Sequence, residues 1–326
     1  MDRGEAPYPP DNADYGSGPY GAVGYAGAYK SDSISRPSPT QRPSYFHTVS
    51  LGLLVLLPAM MFSLVSMLFS FLYHRLPAAC WTFIGLCLCT SFLFMLARPV
   101  RDGPRYWFNL GCLCLLATAA AYLASFWNLH KNFDMYWAYD GQRSYANVSP
   151  SDQALARLDA GKLLFNSEAR VDPTAAVGIV DGDRRYCVAP IVAGARTGRV
   201  QFWAAGVNCC GADGTKFACD EVGSKYAHSG LVFLDYGKRA DWLEMFRRAA
   251  SEAGASHGAV PAKDALFVSW VEDPEVAQQA FWSEGVRFLV GTSLTYLGAS
   301  AIIGSMLHFG GRARAAKSKL ESRTAL

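Results

Sequence analysis

The sequence predicts a membrane protein: a four-transmembrane-helix bundle with a small α+β disulfide-containing exoplasmic domain between helices three and four. Three observations predict it. Residues 49–73, 78–97, 106–129 and 288–311 contain no Asp, Glu, Lys or Arg. The long segment between the third and fourth of these runs carries net negative charge and strand-like patterning. That same segment holds Cys187, Cys209, Cys210 and Cys219 close together in the chain. Across all 326 residues 17% are charged, against roughly 25% in soluble proteins, and the deficit sits in the four runs.

A helix rises ~1.5 Å per residue, so about 20 apolar residues cross a ~30 Å hydrocarbon layer. Every run reaches that length. The first follows a polar tail and is too long for a signal-peptide core, so it reads as an uncleaved start-transfer helix. Four crossings put both termini on one side. Arg36, Arg42, Arg98, Arg101, Arg105, Arg312, Arg314, Lys317, Lys319 and Arg323 flank one face of the membrane, and only Arg75, Lys131, Arg143 and Arg287 the other. The positive-inside rule then makes both termini cytosolic and residues 130–285 exoplasmic, in the plasma membrane or an endomembrane. The net charge of +3 is concentrated at the cytosolic flanks, where it suits an anionic leaflet and gives no sign of nucleic-acid binding.

Residues 1–44 form a Pro/Gly/Tyr-rich tail with Tyr8, Tyr15, Tyr20, Tyr25 and Tyr29 and few aliphatic residues. Such a segment cannot bury enough apolar surface to offset its ordering entropy and is expected to be disordered. Within it, Tyr20-Gly21-Ala22-Val23 fits a tyrosine-based sorting signal, a pattern that a Tyr-rich tether also produces by chance. Residues 45–129 hold helices one to three. Pro58 is expected to kink the first unless a neighbour satisfies the freed carbonyl, and the short link at His74–Pro77 makes helices one and two antiparallel neighbours. Residues 286–309 form helix four, whose Gly291, Gly298, Ala299, Ser300, Ala301, Gly304 and Ser305 allow close approach of a partner helix. Residues 310–326 are a basic cytosolic tail.

Within residues 130–285, a short helix capped by Ser151 is expected at Gln153–Leu158. Strands are expected at Arg185–Val192, Val200–Val207, Gly230–Asp235 and Ala265–Val271. Trp242, Met245, Phe246 and Ala249 recur at helical spacing in Asp241–Ala253, and Pro274 opens a juxtamembrane helix. Trp127, Trp137 and Trp282 fall near the outer interface, where indoles are favoured.

Of nine cysteines, Cys80, Cys87, Cys89, Cys112 and Cys114 lie in the apolar runs and read as small packing residues, with palmitoylation an option near the inner interface. The four exoplasmic cysteines read as two disulfides. The adjacent pair cannot bridge easily, which leaves Cys187–Cys209 with Cys210–Cys219, or Cys187–Cys210 with Cys209–Cys219. Their Cys-x21-Cys-Cys-x8-Cys spacing lacks the paired ligands of a zinc site and the Cys-x-x-Cys of a redox centre. Asn147-Val148-Ser149 is a glycosylation sequon, followed directly by Pro150. His228, Ser229 and Asp235 could form a triad, but no nucleophile elbow frames them. Asp181-Gly182-Asp183 and Asp213-Gly214 lack the further acidic ligands of a calcium loop and read as turns. No catalytic, metal or cofactor-binding residue is assigned.

Four helices, cytosolic termini and Cys209-Cys210-Gly211 in a large loop between helices three and four resemble the tetraspanins. That resemblance implies a lateral organiser of membrane proteins with two loop disulfides anchored on the Cys-Cys-Gly. The chain departs from the family pattern in several places. Cys187 precedes the motif, the first exoplasmic loop is short, helix one has no Asn, helix four has no Glu or Gln, and the large loop reads as strand-rich.

Coupled transport normally places ionisable residues inside the bundle, and the four runs hold no Asp, Glu, Lys or Arg. The sequence points to a binding, scaffold or accessory subunit acting through its exoplasmic domain and transmembrane helices. Its expected partners are membrane proteins in the same bilayer, the lipid bilayer and further copies of itself. An oligomeric channel or transport-accessory subunit is the alternative, and a membrane-bound enzyme comes after that.

Overall fold

The computed structural model describes residues 44–96, 104–194, 198–211, 214, 216–235 and 239–324. Apart from Ser44, the tail expected to be disordered lies outside these residues. Four helices are long and apolar enough to cross a membrane, with candidate spans Leu51–Phe71, Pro77–Leu96, Tyr106–Asp140 and Pro274–Gly310.

Helices α1 (Ser44–Phe71), α2 (Pro77–Leu96) and α3 (Pro104–Asn128) pack around Leu54, Phe62, Val65, Phe69, Leu110 and Ala117, all nearly or fully buried. Proline cannot donate to the carbonyl four residues back, so Pro58 leaves the Leu54 carbonyl without its helical partner. Next to that break, the Val55 carbonyl accepts the Ser300 hydroxyl at 2.8 Å. Ser300 lies on α6 (Pro274–Thr324), and Tyr296 of α6 stacks on Phe62 with centroids 4.3 Å apart. A Cβ at Gly304 would stand 2.9 Å from a Val55 methyl. The small-residue helix therefore meets α1 along Tyr296, Ser300 and Gly304, and it also packs on α3, where Phe288 lies against Trp127. Gly291 and Gly298 look onto open space.

The expected boundaries at residues 129 and 286 fall inside continuous helix. After α3 the chain makes one π-helical turn at Leu129–Phe133 and continues as α4 (Asp134–Asp140). The juxtamembrane helix expected from Pro274 and the fourth span are a single rod of 51 residues, about 76 Å long at 1.5 Å per residue.

Between the rods lies a sheet domain of eight strands: β1 (Arg143–Val148), β2 (Ala160–Phe165), β3 (Ala169–Val171), β4 (Val177–Asp181), β5 (Arg184–Ala193), β6 (Val200–Val207), β7 (Ser229–Val232) and β8 (Pro261–Val271). The order is β1-β2-β7-β8-β6-β5-β3, with β4 also paired to β5. Strands β2 and β3 are five places apart in this order, yet only residues 166–168 join them. Strands spaced ~4.8 Å would put them about 24 Å apart if flat, and such a short link reaches about 14 Å. The sheet must therefore curl. Its concave side encloses Leu163, Cys187, Ile191, Phe202, Val268 and Trp270. Its other side is covered by α5 (Arg239–His257), which sets Leu243, Phe246 and Ala250 against Tyr186, Trp203 and Phe267. Strands buried on both faces read as continuous apolar runs, which is why β5 and β6 stand out in the sequence.

Several expectations are corrected. Strands β1 to β4 were not foreseen. The expected helix at Gln153–Leu158 is one 3₁₀ turn, Ala154–Arg157, with no side-chain cap. Ser151 contacts the Ser149 hydroxyl, and the Gln201 side chain from β6 accepts the Ala154 N–H instead. The third expected strand stops at Val232, short of Asp235. Trp203 and Trp270 fill the cores and are 0% and 3% exposed.

Candidate functional site

Two features set this chain apart: a loop pinned to the sheet by disulfides, and the joint where the rods enter the domain. The bridges are Cys187–Cys210 and Cys209–Cys219, with Cα separations of 5.9 and 4.8 Å. This is one of the two pairings open from the sequence. Cys187 sits in mid-β5, directly opposite Gly178 of β4 and Gly206 of β6. A Cβ at Gly178 would lie 2.6 Å from Cys210 Sγ, and one at Gly206 would lie 2.5 Å from Cys209 Sγ. The two glycines make the room in which the bridges lie on the sheet, and sequence reasoning missed both. The usable signal is an isolated glycine inside a strand, which marks close approach of other backbone or side chains.

Arg185 fastens the loop's start. Its N–H donates to the Asn208 side chain at 2.8 Å and its guanidinium to the Gly211 carbonyl at 2.9 Å. Asn208 adopts φ 60 and Asp220 φ 49, left-handed conformations that Asn and Asp tolerate better than most residues. Desolvation pushes the Asp220 carboxyl above its usual range; the Ser269 hydroxyl bond opposes this, and the Glu221 charge adds to it.

The Sγ atoms of Cys187, Cys209 and Cys219 lie within 4.8 Å of one another. Each is tied into a disulfide, so none is a thiolate able to bind a metal. The triad does not assemble. The His228 ring contacts the Ala169 carbonyl at 3.1 Å, and the Ser229 hydroxyl donates to the Glu272 carbonyl at 3.3 Å. Asp181 and Arg184 pair across a hairpin turn with Gly182 at φ 60, as read from the sequence. Asp213 lies outside the described residues. Asn147 is exposed in β1 at φ 56.

The joint is built from the π turn. The Asn128 side chain donates to the Gly285 carbonyl of α6 at 3.0 Å and accepts from Asn132 at 2.7 Å. A Cβ at Gly285 would come within 2.8 Å of the Phe133 ring. Trp282 packs against Phe71, Phe133 and Tyr136 with centroids 5.4, 5.3 and 5.1 Å away, and His74 stacks on Trp137. Beyond the joint, the buried Gln278 amide donates to the Tyr136 carbonyl, the Tyr139 hydroxyl to the Val232 carbonyl at 2.8 Å, and Lys162 to Glu275 at 2.7 Å. Trp137 and Trp282, expected near an interface, are thus parts of the joint.

No family model, no curated protein and no solved structure matches this chain.

Proposed function

We propose that this chain is an integral membrane binding or organising subunit. It holds its disulfide-framed domain on the exoplasmic side and both termini in the cytosol, and it gathers membrane proteins of the same bilayer, the role that the tetraspanin resemblance implies. The observation that carries this reading is the joint. Two helical rods continue from an apolar bundle into the domain and are locked together by Asn128, Gly285 and Trp282, a rigid mount for a surface held at fixed height. The open Gly291 and Gly298 face of α6 offers a second, lateral contact, including with another copy of the chain.

Proximity labelling from the domain in cells tests it, comparing wild type with Cys209→Ser plus Cys210→Ser. A small set of membrane neighbours, lost in the variant while it still reaches the same membrane, is the expected result. No enriched neighbour in either form overturns the organising role. Protease treatment of intact vesicles tests the orientation separately: residues 130–285 are expected to be protected and the tails cut.

A further inference from the structure

We infer that Asn147 carries an N-linked oligosaccharide whose place in the fold is to close the open edge of the sheet. The inference rests on the exoplasmic orientation proposed above. Asn147-Val148-Ser149 is the sole Asn-x-Ser/Thr triplet in the chain. It falls in β1, which pairs with β2 on one side only and ends the strand order. An end strand presents unpaired N–H and C=O groups to any other strand that approaches, which is a route to unwanted association.

The rest of β1 is already shaped against such pairing. Its register with β2 breaks between Arg143 and Ser144 and again between Tyr145 and Val148. Asn147 stands in the second break, unpaired with β2 and exposed. Bulges and charged residues such as Arg143 are common edge defences, and a bulky, hydrated glycan at the bulge adds a steric one. At the opposite end of the order β5 is flanked by two shorter strands, β3 of three residues and β4 of five, and the His228 ring contacts the Ala169 carbonyl of β3.

In the transfer, the Asn147 side-chain nitrogen attacks the anomeric carbon of a polyprenyl-pyrophosphate-linked oligosaccharide. A C–N bond forms, the C–O bond to pyrophosphate breaks, and the amide gives up one proton to a base of the transferase. The polyprenyl pyrophosphate leaves. The enzyme acts on the emerging chain, before β1 pairs with β2. The Ser149 hydroxyl, required by the sequon, contacts only Ser151 in the folded domain, so it is free of any core role.

The test translates the full chain into microsomes and treats it with peptide N-glycosidase. Ser149→Ala is the main variant, because it keeps Asn147 at its positive φ; Asn147→Gln is the second. Ala255→Asn with His257→Thr adds a control sequon at the exposed end of α5. One glycan on wild type, none on Ser149→Ala and two on the control are expected. In detergent, the unglycosylated variants are expected to show at least a twofold larger share of dimers and higher oligomers by light scattering. A control modified only at its added sequon overturns the assignment of Asn147 while leaving the orientation intact. No modification at either place overturns the orientation, and this inference with it. Glycosylation with unchanged self-association in both variants overturns the edge-closing role.

Discussion

In the sheet domain Cys187, Ala189, Phe202 and Trp203 are wholly buried, with a curled sheet and a pinned loop on one side and α5 on the other. In the apolar part of α6, Val290, Leu294, Ile302 and Met306 stand more than half exposed, while Tyr296, Ser300 and Gly304 touch α1 and Phe288 packs on Trp127 of α3. The first region covers its own apolar side chains. The second leaves an apolar face uncovered among the described residues, of the kind that lipid tails or another helix could cover.

Removing a bridge should separate the two regions most sharply. Cys187→Ser with Cys210→Ser opens a link spanning 23 residues, and Cys209→Ser with Cys219→Ser one spanning 10. Loop-closure entropy gives losses of about 3.5 and about 2.7 kcal/mol. Denaturant unfolding of the purified protein should show the first as larger, with helical content retained; equal loss of helix and sheet would mean that the regions unfold as one.

Gly206→Ala should cost about 1–3 kcal/mol through overpacking against Cys209 and Cys219, and a titration of free thiols should find more unbridged cysteine. A fully bridged, equally stable variant would mean that the strand shifts to make room. Gly285→Ala acts on the joint by the same mechanism and on a similar scale. Amide exchange should quicken around Asn132 and Gln278 and stay slow in β5 and β6. Faster exchange in β5 would show that the domain depends on its mount.

Asp220→Asn should produce a smaller, pH-dependent gain. The folded state holds the Asp220 proton more tightly than the unfolded state, whose carboxyl keeps the ordinary value of 3.8. The folded protein therefore binds the extra proton between 3.8 and its raised pKa, and stability from this group is lost as pH rises through that window. The variant should be the more stable above the window and equal to wild type below it, as read by melting temperature against pH. Asn also suits the left-handed backbone there. A gain of equal size at all pH would assign the effect to that backbone preference alone. The smallest expected effect is Gly291→Leu with Gly298→Leu. Nothing lies within 4 Å of either Cβ position, so stability should change by less than about 0.5 kcal/mol while neighbour labelling falls.

Charge-free runs made the four apolar helices legible, because one missing charge after another is a local property that needs no partner. Continuous apolar runs likewise betrayed β5 and β6. Strands β1 and β3 stayed hidden: Arg-Ser-Tyr-Ala-Asn-Val and Ala-Arg-Val have little burial pattern, and only pairing with β2 and β5 makes them strands. The expected boundaries at residues 129 and 286 rest on a change in polarity, but helical hydrogen bonding continues through that change.

By itself the sequence determined four helices apolar enough for a membrane, a mixed domain between the last two, and four cysteines able to form two bridges. Only the tertiary structure decided which bridges form, because the choice depends on Gly178 and Gly206 being placed beside Cys187 by strand register. It alone decided that α6 meets α1 and that Asn128 clasps Gly285. These contacts join residues far apart in the chain, and their energy depends on distances that local composition does not encode.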